Sequence, residues 1–126
     1  MATINDRITT LIGAELATRA FGIQAFDFPA GFPDYPEHNH AESRQEEVYV
    51  VLAGSANVEL NGERVAVERG TALRVGSHTT RRLIPGPQGI HVLVIGATPA
   101  SSTSGRSVSA CHPRKTSVRD LGLRDR

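Results

Sequence analysis

Across residues 22–96, apolar and polar positions alternate in short runs separated by turn-forming residues. Residues 22–28 carry Ile23, Phe26 and Phe28 and read as a strand. Pro29, Gly31, Pro33 and Pro36 then impose a loop. Residues 47–53 are rich in Val and Tyr and stop at Gly54-Ser55. Residues 56–60 and 64–67 flank Asn61-Gly62, a dipeptide that tolerates positive φ and suits a type I′ hairpin turn. Glu68-Arg69-Gly70 marks another turn, 73–75 a short strand, and Gly76-Ser77 a further break. Residues 81–84 and 90–95 make the last two strands, separated by Pro85-Gly86-Pro87. Strands this short and this regular predict an all-β sandwich or small barrel rather than βαβ units.

The flanks follow other rules. Ile4, Ile8, Leu11, Ile12 and Leu16 have a loose helical spacing, which Thr9, Thr10 and Gly13 weaken. Residues 1–21 are therefore expected to form an arm or a short helix. Beyond Thr98-Pro99 the chain turns to Ser101, Ser102, Thr103, Ser104, Ser107 and Ser109, which cannot offset the entropy of ordering by apolar burial. Residues 22–98 are expected as the folded domain, and 99–126 as a flexible, disordered, Ser/Arg-rich tail.

The strand at 47–53 has two faces. Glu47, Tyr49, Val51 and Ala53 share one, and Val48, Val50 and Leu52 share the other. An outer face is usually polar, and this one is not. Its expected cover is the partner of a homodimer, with the chain's own N-terminal arm as the alternative.

Composition narrows the classes. At 126 residues and 39% hydrophobic content the chain holds one modest core, and its single cysteine, Cys111, excludes an internal disulfide framework. No apolar run is long enough for a membrane span, and no signal-peptide pattern opens the chain, so a cytoplasmic location is expected. The formal charge of +1 conceals a mildly acidic body and a basic tail. The tail's charges are scattered and lack interleaved aromatics, so nucleic acid is not an expected partner.

Candidate chemistry gathers at His38, His40 and Glu47. Histidines at i and i+2 point the same way on an extended segment, and Glu47 opens the next strand on the face of Tyr49. A lone carboxylate on an interior face is costly unless paired or bound to a cation. Two histidines and a carboxylate are the set that holds Fe(II) or Mn(II) with open positions, and zinc accepts the same donors. The competing reading is that residues 36–42 form a hydrophilic, solvent-facing loop.

This segment resembles the cupin family. Gly31, His38, His40, Glu47 and Gly54 look like its first motif, a glycine, an HxH pair, a glutamate and a later glycine. Glu42 lies nearer the usual distance from His40, but no strand and glycine follow it, so it is second choice. In the second motif Gly70 fits the opening, Gly76 stands at the proline, His78 at the glycine, Arg81 at the metal-binding histidine and Pro85 at the closing asparagine. The resemblance covers about residues 22–96 and implies a double-stranded β-helix (jelly-roll) barrel, commonly homodimeric, with its site inside. It implies a small-molecule ligand and a divalent metal (Fe, Mn, Ni or Zn) on His38, His40 and Glu47.

Arg81 makes that site degenerate on this reading, because a guanidinium has no lone pair to give. Either Arg81 forms an internal ion pair with Glu47, leaving a metal-free pocket for an anionic ligand or a structural role, or it swings aside to clamp a substrate carboxylate. Tyr49, Arg81 and His91 are the expected pocket residues. His78 is expected in an exposed turn. Nothing fixes a catalytic geometry for the adjacent Cys111 and His112. No residue selects a reaction, and enzyme and noncatalytic binder both stay open.

Overall fold

The computed structural model describes residues 1, 8–33, 35–99 and 115–117. In chain order these form β1 (Thr9–Thr10), α1 (Ile12–Leu16), β2 (Gly22–Phe28), β3 (Glu46–Leu60), β4 (Glu63–Glu68), β5 (Thr71–Val75), β6 (Arg81–Ala97) and β7 (Lys115–Ser117). The period-two pattern is obeyed where it matters most. On β3, buried Glu47, Tyr49 and Val51 alternate with half-buried Val48 and Val50. Asn61 and Gly62, both at positive φ (50° and 82°), join β3 to β4 as the predicted hairpin turn.

Two predicted breaks prove to be bends within single strands. At Gly54-Ser55 the pairing of β3 with β6 jumps from Gly54↔Ile90 to Ala56↔Pro85, so residues 86–89 lie opposite Ser55 alone. Proline has no N–H to offer the ladder, and this bulge takes up Gly86 and Pro87 where no ladder bond is needed, with Pro85 at its edge opposite Ala56. Gly54 sits at φ 74° with its α-carbon against the Gly89 carbonyl, an approach that only glycine allows. Both strands therefore run through the bend, and the sheet turns there without ending.

The sheet is not closed into the expected barrel. Its hydrogen-bonded path runs β1-β2-β6-β3-β5-β7, with β4 paired to β3. Closure requires the edge strands to pair with each other. Instead β1 offers two residues to β2, and β7 pairs with β5 at the other end. The fold is an all-β, cupin-like double-stranded sheet left open. Its bend still lets both halves share one core, from Tyr49, Val92 and Val94 on one side to Val58, Leu60 and Leu83 on the other.

The helix is one short turn, ended by Ala17 in the left-handed region (φ 54°). Residues 2–7 of the expected arm lie outside the described residues. Of the expected tail, residues 115–117 run antiparallel to β5. The remainder, with Cys111 and His112, is also outside the described residues. Among the described residues no helix is long and apolar enough to cross a membrane.

Candidate metal centre

The HxH segment is held extended by backbone bonds on both histidines. His38 N–H donates to the Arg81 carbonyl at 3.1 Å, Arg81 N–H returns a bond to the His38 carbonyl at 2.8 Å, and His40 N–H donates to Ser77 at 2.9 Å. Asn39 between them is exposed, so the two imidazoles turn to the same side, toward β3. There Glu47 waits, 6% exposed at the start of the strand. Donor atoms of His38, His40 and Glu47 all lie within 4.8 Å of one another.

Local bonding fixes which atoms face inward. His38 Nδ1 stands 2.9 Å from the Pro36 carbonyl, which only accepts, so Nδ1 is the donor, and in the neutral ring Nε2 keeps its lone pair. His40 Nε2 comes within 2.6 Å of Glu47 Oε1. That approach lacks hydrogen-bond alignment, and Oε1 remains a buried oxygen without a hydrogen-bond donor. A buried carboxylate oxygen this close to a ring nitrogen, with no aligned hydrogen bond between them, is an arrangement that a shared cation suits. The donor set fits a divalent ion.

Arg81 is the fully buried cation beneath this cluster, at 0% exposure. Its Nη2 lies 3.4 Å from Glu47 Oε1 and donates to the Gly76 carbonyl at 3.2 Å, while Nε and Nη1 have no hydrogen-bond acceptor. The expectation that this arginine leaves the site degenerate is corrected: the three-donor motif is intact, and Arg81 lines neither of the clefts beside it.

Behind Glu47, the Tyr35 and Tyr49 hydroxyls share a hydrogen bond of 2.8 Å. Burial pushes Tyr35 up to about 12, against which its bond to Tyr49 pulls down. Burial, followed by the neighbouring Tyr35, raises Tyr49 well above the ordinary phenol value. Both therefore stay neutral across the physiological range.

Two clefts meet at His40, Glu47 and Gln24. One, of about 310 Å³, is walled by Phe26, Phe28, Phe32 and Tyr35. The other, of about 740 Å³, runs between α1 and β2 past Leu11, Ala14 and Phe21.

Other candidates stay apart. His91 shares the parity of Leu93 and Ile95, opposite Val92 and Val94, and lines neither cleft. By parity it lies on the face of β6 opposite Val92 and Val94. His78 and Glu42 are exposed and outside the cluster. Tyr35 and Phe32 were not named from the sequence. They sit in a proline-rich loop with no strand parity to aim them, so only the scarcity of tyrosine, two in the chain, pointed that way.

Residues 25–96 match the cupin domain family, and the chain belongs to it. No curated protein sequence matches the chain. A cupin protein from Bacteroides fragilis superposes with a TM-score of 0.71 at 21% identity, over 89% of this chain and 93% of that one. A putative glyoxylate-induced protein from Pseudomonas aeruginosa gives 0.69 at 18% identity, over 89% of this chain and 41% of that one. KdgF from Halomonas sp. gives 0.57 at 22%, over 66% and 73%. At these identities the likeness establishes the fold alone.

Proposed function

We propose that this protein holds a divalent metal ion on His38, His40 and Glu47 and uses the site to bind or transform a small molecule. One observation carries the reading: three donor atoms converge within 4.8 Å, and the carboxylate oxygen among them is buried without a hydrogen-bond donor. Fe, Mn, Ni and Zn all accept two imidazoles and a carboxylate. When bound, such an ion supplies Lewis-acid polarisation of a ligand oxygen. The chain's own residues do the rest. Pro36 orients the His38 ring, the Arg81 backbone fixes the HxH segment, and Phe26, Phe28, Phe32 and Tyr35 wall one side of the site.

A second reading has its own support in the 3.4 Å contact between Arg81 and Glu47. On it, the two charges satisfy each other and the domain binds an anion or serves a structural role without metal.

The partner assignment rests on the outer face. Val48 lies beside Ile95 and Val50 beside Leu93, with Leu52 40% exposed at the end of the row. We assign its cover to a second copy of the chain.

Elemental mass spectrometry of untagged protein from metal-replete medium tests the main reading. About one equivalent per chain, lost in both His38→Ala and Glu47→Ala, is the expected result. Less than about a tenth of an equivalent after reconstitution favours the metal-free reading.

A further inference from the structure

The narrower cleft has a marked bias in charge and shape. Among the described residues lining it, Glu47 is the one acid, and Arg81 stands 3.4 Å from that carboxylate. Their formal charges cancel. A divalent ion on neutral imidazoles would then leave roughly two positive charges uncompensated in a largely buried site. A ligand bringing negative charge would compensate them.

The wall opposite is aromatic. Phe26 and Phe28 stack at 4.9 Å between centroids, Phe28 and Phe32 at 4.6 Å and 6° between planes, and Tyr35 meets both Phe26 and Phe28 edge-on. The Tyr35 ring lies 5.5 Å from the His38 imidazole, so this surface begins beside the cluster itself. The remaining lining, Ile8, Thr9, Gln24 and Pro36, adds no charge. About 310 Å³ is near the lower end of small-molecule sites.

We propose that the site's ligand is a small carboxylic acid with an aromatic or apolar body, its carboxylate toward His38, His40 and Glu47 and its body against Phe26, Phe32 and Tyr35. This inference rests on the metal reading above. The cation calls for the anion, and the ring wall selects what the anion is attached to. Neither acetate, which has no body, nor benzyl alcohol, which has no charge, satisfies both halves.

Calorimetric titration of zinc-loaded protein with benzoate, acetate and benzyl alcohol tests it. Benzoate is expected to bind at least about 10-fold more tightly than either comparator, as burial of one ring allows. Phe32→Ala, at a half-buried loop position on the edge of the core, should weaken benzoate by about 5-fold with zinc content and acetate affinity unchanged. On metal-free protein the preference for benzoate over benzyl alcohol should vanish. Benzoate within about 2-fold of acetate, an unaffected Phe32→Ala, or a carboxylate preference that survives metal removal would each overturn the proposal. Zinc that fails to load at all overturns the metal reading and this proposal with it, whereas zinc that loads without selecting benzoate overturns this proposal alone.

Discussion

Arg81 holds both sides of the candidate site at once. Its backbone exchanges two hydrogen bonds with His38, while its guanidinium reaches to 3.4 Å from Glu47 Oε1. The side chain is wholly buried, so the charge facing Glu47 is permanent and shielded from water. In the absence of metal, Arg81 is the counter-charge that makes a buried carboxylate tolerable.

Arg81→Leu should accordingly destabilise the metal-free protein by about 3 kcal/mol, the low end for a broken buried pair, because two unsatisfied nitrogens leave with the guanidinium. Added zinc should recover part of that loss, since binding to the folded state alone stabilises it. Urea unfolding with and without zinc reads both effects. A loss below about 1 kcal/mol would mean the pair contributes little.

The chain has two tyrosines and no tryptophan, and both tyrosines lie at the site. Ultraviolet titration of phenolate therefore reports on this location and no other. Neither tyrosine should ionise in the folded protein near pH 10, and Tyr35 should do so at about 12. The folded values are raised, so their contribution to stability is complete below about pH 10 and is lost as pH rises toward 12 and beyond. For Tyr35 the difference amounts to roughly 3 kcal/mol. Ordinary titration of either tyrosine in folded protein would contradict the buried pair.

Two glycines at nearly the same φ should respond differently to alanine. Gly54 (φ 74°) would drive its new methyl into the Gly89 backbone, whereas Gly31 (φ 72°) has open space around it. Gly54→Ala should cost about 3 kcal/mol or more, and Gly31→Ala only about 1 kcal/mol, both by chemical denaturation. Equal losses would show that β3 and β6 do not approach so closely at the bend.

Leu52→Lys tests the outer face. If a second copy covers Val48, Val50 and Leu52, light scattering should find a dimer for the native chain and a monomer for the variant, with the domain still folded. A native monomer at micromolar concentration would return this face to the chain's own N-terminal arm or to solvent.

Much of this was legible in the sequence because strands and hairpins are written locally. The alternation at 47–53 and the Asn61-Gly62 turn needed no tertiary information, and the i, i+2 spacing of His38 and His40 put both rings on one side. What failed depended on distant partners. Gly54-Ser55 and Pro85-Gly86-Pro87 read as strand ends, yet each is tolerated because the other bulges opposite it. Barrel closure is a property of which edges meet, and no local pattern carries that. The chemistry of Arg81 excludes it as a ligand but does not reveal its place beside Glu47 or its backbone pairing with His38, which is a matter of register.

Anomalous diffraction from crystals of zinc-loaded protein tests the central claim most directly. The account predicts a single strong peak between His38 Nε2, His40 Nε2 and Glu47 Oε1, absent in Glu47→Ala. No peak among those atoms, or zinc held instead at exposed His78 or on the far face at His91, would contradict it.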